Sequence, residues 1–111
     1  MIPALLIALS LTVTDGDTIR LGDERIRIAG IDAPETYQPR CASEKALGDK
    51  ATRALEWLLH NATVQIVRDG VDRYGRTLAD VYADGVDVGE VLISQGLAVR
   101  WSGRRHNWCG G

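Results

Sequence analysis

Three carboxylates and two arginines in this chain have the chemistry to act together on a phosphate: Asp17, Asp32, Glu35, Arg27 and Arg76. Asp17 follows the turn residues Asp15-Gly16, and Asp32 and Glu35 flank Ala33-Pro34. Carboxylate oxygens are hard donors, so a cluster of them would prefer Ca²⁺ over zinc, and the same oxygens could hold Mg²⁺ or Mn²⁺. An arginine fork matches a phosphate through two parallel hydrogen bonds. Two such forks facing a carboxylate-bound cation would clamp a phosphodiester and neutralise the charge that develops as it is cleaved. Taken singly, each residue has an ordinary explanation. Acidic residues at strand ends are commonly solvated turn formers, and surface arginines commonly pair with carboxylates. The chemistry depends on the five meeting in one place.

Strand ends and a loop must bring them there. Ile7 to Thr14 reads as a first strand, Thr18 to Leu21 as a second and Arg25 to Ala29 as a third. In the third, Ile26 and Ile28 share one face while Arg25 and Arg27 share the other. Asp32 to Cys41 contains Pro34 and Pro39 and reads as loop. Ser43 is the expected N-cap of a long helix running to about His60, which Asn61 can close. Val64 and Ile66 mark a fourth strand, followed by a charged loop from Asp69 to Arg76, and Thr77 to Tyr82 forms a fifth. Asp87 can cap a short helix through Ser94 that stops at Gly96, before an extended Leu97 to Trp101 and a loop-like tail, residues 102–111. This order predicts one β-rich α+β domain over residues 1–111: a five-stranded OB-fold barrel with a long helix between strands 3 and 4 and a short second helix. Such a fold hosts many functions, so the site must carry the functional argument.

Three ordered stretches make that argument sharper: Asp15-Gly16-Asp17-Thr18, then Arg27 to Glu35 (RIAGIDAPE), then Asp72-Arg73-Tyr74-Gly75-Arg76. Together with the run from Tyr82-Ala83-Asp84-Gly85 through Gly96-Leu97-Ala98, they resemble the staphylococcal nuclease (thermonuclease) family over roughly Thr12 to Val99. The resemblance implies a hydrolase of the phosphodiesterase or endonuclease type. Asp17 and Asp32 would ligate a catalytic Ca²⁺, joined by the backbone carbonyl of Ala33, and Glu35 would act as general base or hold the attacking water. Arg27 and Arg76 would stabilise the transition state, and Tyr74 would lie near a nucleotide. The implied substrate is single-stranded DNA or RNA, handled by a monomer without a stable protein partner. The competing expectation is a catalytically silent OB-fold module that binds nucleic acid or protein.

Composition bounds these readings. The chain has 111 residues, a formal net charge of −2, 45% hydrophobic residues and no Phe. The core must therefore be aliphatic, and nucleic acid must be gripped locally rather than by a broad basic surface. The family's best-known member is basic and carries a C-terminal helix; this sequence reads as a short form without it. Cys41 and Cys109 form no CxxC pair, which excludes a zinc ribbon. Free thiols, a disulfide and a soft metal site with His106 all remain open. Met1 to Leu11 is too short to span a bilayer and lacks a basic start, so residues 1–9 read either as a degenerate signal or anchor, favouring a secreted or periplasmic location, or as part of a first strand. In the tail, Trp101 and Trp108 are expected to pack over the barrel end, with base stacking as the alternative; Arg104, Arg105 and His106 offer phosphate contacts.

Overall fold

A computed structural model describes residues 10–110. The element order is β1 (Leu11–Asp15), β2 (Thr18–Leu21), β3 (Glu24–Ile28), β4 (Ile31–Asp32), α1 (Ala42–Leu59), β5 (Val64–Val71), β6 (Thr77–Ala83), β7 (Val86–Asp87), α2 (Val88–Ser94) and β8 (Val99–Arg100). The main sheet runs β1-β2-β3-β6-β5, with β7 added to β6, and β4 pairs with β8 in a separate ribbon. The architecture is mixed α+β.

The sheet is open. A closed barrel needs a ladder between its first and last strands, and no β1–β5 ladder forms among the described residues. This corrects the closed five-stranded barrel expected above. In β5 a register shift against β6 between Arg68 and Val71 interrupts the ladder, and Arg68 to Val71 face solvent. The first strand is seen from Leu11; the expected start at Ile7 lies outside the described residues. β5 also extends into the expected loop from Asp69: Val71 pairs with Thr77 beyond the irregularity that follows Arg68. No helix among the described residues is long and apolar enough to cross a membrane.

The core is aliphatic, as the absence of Phe requires. Ile19, Ile26 and Ile28 of the sheet meet Leu55 of α1 and Val88 and Leu92 of α2 in one buried cluster. Burying each such side chain contributes about 1.5–3 kcal/mol. Cys41, not Ser43, is the N-cap of α1: its extended backbone places Sγ to accept the amide of Glu44 at 3.4 Å. Cys41 and Cys109 form a disulfide with a Cα–Cα distance of 6.0 Å across a sequence separation of 68. Closing a loop of that size stabilises the fold by about 4 kcal/mol in the chain-entropy model. The pairing selects one of the three readings of the cysteines and ties the tail to the start of the long helix.

Gly48 shows how tightly α1 is seated. A Cβ there would lie 2.6 Å from the Glu35 carbonyl oxygen and 3.0 Å from that of Pro34. Gly16 is similarly closed: a Cβ would meet Ala51 Cβ at 2.7 Å and Ala33 Cβ at 2.9 Å. The helix therefore rests on the backbone of the loop that carries Glu35 and on the turn that carries Asp17. In a free helix Ala is favoured over Gly by about 1 kcal/mol; here Gly48→Ala should instead lower stability by about 1–3 kcal/mol through overpacking. Thermal melting checks this, and a raised Tm would contradict the close contact.

Glu24 ties β3 to β5 and β6. It accepts hydrogen bonds from Arg68 Nε (2.8 Å) and Nη2 (2.7 Å) and from Thr77 Oγ1 (2.8 Å). The side-chain hydrogen bonds from Arg68, followed by that from Thr77, lower its pKa from 4.5 to about 2. A lowered folded-state pKa contributes stability that is complete above 4.5 and is lost as pH falls through about 2. The Tm gap between the wild type and Glu24→Gln should thus be widest above pH 4.5 and close toward pH 2. A gap that is constant across this window would contradict the assignment.

Candidate active site

Strand register brings the first basic and acidic residues together. In the β2–β3 ladder Thr18 pairs with Arg27, and Ile28 N–H donates to the Asp17 carbonyl at 2.8 Å. Arg27 therefore emerges beside Asp17, its Nη2 3.5 Å from Asp17 Oδ2, while its Nη1 donates to the Ile28 carbonyl at 2.7 Å. The parallel β3–β6 ladder pairs Ile26 with Thr77, which sets Arg76 at the same end of the sheet. The hairpin before β6 is held by Asp72. Its Oδ1 accepts the amides of Tyr74 and Arg76, both at 2.9 Å, and its Oδ2 accepts Arg76 Nε at 2.8 Å. Burial would raise the Asp72 pKa, but the Arg76 amide and side chain and the Tyr74 amide outweigh it and hold the group below its ordinary range. Arg25 reaches across to donate to the Tyr74 carbonyl. The guanidinium of Arg76 lies 5.3 Å from the Tyr74 ring centroid and that of Arg73 5.0 Å, so the exposed ring sits between two cations.

Asp17, Asp32, Glu35, Arg27, Arg76 and Tyr74 all line one cleft of about 730 Å³. Ala33 does not; it lies buried beneath the cleft, and its amide donates to Asp17 Oδ2 at 3.0 Å. Asp17 and Asp32 are 5% and 4% exposed, which is unusual for carboxylates unless they are compensated. Asp15 is a further buried acid, missed in the sequence because Asp-Gly reads as a turn signal. Its Oδ1 accepts the Asp17 amide at 3.2 Å, and burial, then the charge of Asp17, raises its pKa from 3.8 to about 8. Burial also pushes the Glu35 carboxyl above its ordinary range, against the opposing charge of Arg105.

Arg105 was the least visible member. Its Nη1 bonds Glu35 Oε1 at 2.9 Å and its Nη2 bonds Glu44 Oε2 at 2.6 Å. Glu44, only 1% exposed, also accepts the amides of Glu35 (3.2 Å) and Arg40 (2.7 Å). Those two amides and the charge of Arg105 overcome its burial and hold its pKa below the ordinary value. The amide of the next residue, His106, donates to Asp32 Oδ2 at 2.7 Å. The tryptophans divide their roles. Trp108 packs edge-on against His106 of the same tail, with ring centroids 4.5 Å apart. Trp101 departs from the packing expectation: it is 46% exposed and lines the cleft.

Among the described residues no three His, Cys, Asp or Glu side chains converge as a metal-holding group. The expected set contains only two carboxylates, with main-chain and water oxygens completing it, as is common for hard cations. The donors fit such an ion. Two buried acids of the expected set, Asp17 and Asp32, carry one salt bridge between them among the described residues, that of Arg27 to Asp17. Buried like charges without enough counter-charge are costly, and a hard cation would relieve that cost.

Residues 25–107 match the family described as Staphylococcal nuclease homologue. The chain belongs to that family. It is 34% identical over 100 residues to an "uncharacterized endonuclease" of Haemophilus influenzae, covering 86% of this chain and 51% of that protein. It is 35% identical to the "probable staphylococcal-like nuclease CAN1" of Oryza sativa subsp. japonica over 75% of this chain and 23% of the relative. To "endonuclease YncB" of Bacillus subtilis it is 36% identical over 76% of this chain and 43% of the relative. The chain thus spans about half the length of these relatives or less.

Proposed function

We propose that this chain is a metal-dependent nuclease that hydrolyses phosphodiester bonds in single-stranded DNA or RNA. The observation that carries the reading is the single cleft in which the buried carboxylates Asp17 and Asp32 and the base candidate Glu35 face Arg27 and Arg76. The nuclease and endonuclease names of its relatives support it.

Asp17 and Asp32, with the Ala33 carbonyl, would hold a Ca²⁺ ion, or Mg²⁺ or Mn²⁺ in its place. When bound, the cation would supply Lewis-acid stabilisation of a phosphoryl oxygen. Arg27 is held near the end of β3 by its bond to the Ile28 carbonyl and its contact with Asp17, and it lines the cleft. Arg76 is oriented by Asp72 on the opposite side. The two guanidinium groups are thereby fixed before substrate arrives, so they stabilise developing phosphoryl charge without first reorganising. Glu35 takes the proton of the attacking water. Trp101 offers an exposed ring on which a base can stack, which is tolerant of sequence because every base has a π-face; Tyr74, covered by the guanidinium groups of Arg73 and Arg76, lies beside the nucleotide.

The test is cleavage of single-stranded DNA and RNA with Ca²⁺ and then with chelator, beside Arg27→Ala and Glu35→Ala. Metal-dependent cleavage by the wild type is expected, with kcat reduced about 10²–10³-fold in each variant. Absence of cleavage by the wild type would overturn the enzyme reading, and nucleic-acid binding retained without cleavage would mark a binding module instead.

A further inference from the structure

The C-terminal tail enters the site in a way that the five-residue scheme leaves unused. It leaves the sheet at β8, where Val99 pairs with Asp32 and the Trp101 amide donates to the Gly30 carbonyl at 2.9 Å. It ends at Cys109, bonded to Cys41 at the head of α1. Between these two anchors the chain passes over the cleft, and Arg105 and His106 touch Glu35, Glu44 and Asp32. Both anchors are also attached to elements that carry site residues: β4 carries Asp32, and the first turn of α1 carries Glu44.

We propose that Arg105, delivered by the disulfide-held tail, is a positioning residue that fixes the carboxylate of Glu35 for its work on the attacking water; this rests on the nuclease reading above. Glu44 is the fixed point. Its carboxylate is buried and already holds the amides of Glu35 and Arg40. The planar fork of Arg105 carries that fixed geometry outward, with one amino group on Glu44 and the other on Glu35. Glu35 is thus held twice by the same anchor, at its backbone directly and at its side chain through Arg105. A lysine presents one nitrogen and cannot span both carboxylates in this way. One oxygen of Glu35, Oε1, is taken by Arg105, leaving Oε2 for a water. The disulfide matters because a free tail loses conformational entropy whenever it places Arg105, whereas a tail anchored at both ends has already lost most of it.

The experiment is steady-state cleavage of single-stranded DNA by full-length wild type, Arg105→Ala, Arg105→Lys, Cys109→Ser and the Arg105→Ala/Cys109→Ser double variant, all assayed well below Tm values set by circular dichroism. Cys109→Ser leaves the Cys41 sulfur in place as the cap of α1. Both Arg105 variants and Cys109→Ser should lose about 10- to 100-fold in kcat, with KM little changed. The double variant should lose no more than the worse single one, because the disulfide acts through Arg105. A merely structural role would lower Tm and leave kcat intact in the folded enzyme. Wild-type kcat in Arg105→Ala, or in Arg105→Lys, would overturn the proposal. So would a raised kcat, which would make Arg105 a plug on Glu35, or an effect confined to KM, which would make it a substrate contact. A wild type that does not cleave at all would instead remove the nuclease reading, and this inference with it.

Discussion

Two missing methyl groups set the geometry of the site. At Gly16 and Gly48 the helix α1 lies so close to neighbouring atoms that no Cβ fits. One contact presses the helix onto the turn bearing Asp17; the other presses it onto the backbone of Pro34 and Glu35. The acidic half of the cleft is therefore mounted on the helix rather than suspended in loops. Rigid mounting matters because catalytic groups must be held to a fraction of an ångström. The basic half is mounted differently, by strand register. The β2–β3 ladder puts Arg27 beside Asp17, and the parallel β3–β6 ladder brings Arg76 to the same end. The Asp72 carboxylate then gathers the hairpin that carries Arg76 and Tyr74.

This division concentrates positive charge locally in a chain of net charge −2. Four of its thirteen Lys and Arg residues meet in one place. Arg27, Arg73, Arg76 and Arg105 all line the cleft. Beneath them lie the buried acids Asp15, Asp17 and Asp32, and burial, then the charge of Asp17, raises the pKa of Asp15 to about 8. Such crowding is unfavourable in an isolated fold and favourable where a cation is to be bound. The arrangement costs the free protein some stability, as crowded buried acids do at many functional sites. The disulfide and the close seating of α1 stabilise the fold in the opposite direction.

Much of this was legible in residue order. The alternation Arg25-Ile26-Arg27-Ile28 defines the two faces of β3, and Ile26 and Ile28 are buried as that pattern requires. Asp87 caps α2 through the Glu90 amide, matching the expected helix start. The five chemical residues reach one cleft because their motifs lie at strand ends and a hairpin, which local pattern reveals. What stayed hidden depends on distant partners. Arg105 and Glu35 are 70 positions apart, and no local signal links a tail arginine to a loop carboxylate. Glu44 reads as an ordinary first-turn acid on a helix; only its burial shows that it anchors two loops. The two-residue strands β4 and β8 exist through each other and carry too few residues for a period. The helix begins at Ala42, one residue before the expected Ser43 cap, so the capping acceptor is the sulfur of Cys41, a residue type that gives no capping signal in a sequence. The open sheet was likewise invisible, since closure depends on the edges of β1 and β5, not on their sequences alone.

The central claim is that the buried acids of the cleft await a hard cation. Calorimetric titration of Ca²⁺ into protein freed of divalent ions, repeated on Asp17→Asn and Asp32→Asn, tests it without reference to turnover. The account predicts one binding event per chain in the wild type, strengthened by a nucleotide phosphate in the cleft and abolished or greatly weakened in both variants. Absence of binding in the wild type with nucleotide present, or binding that persists unchanged in both variants, would contradict it.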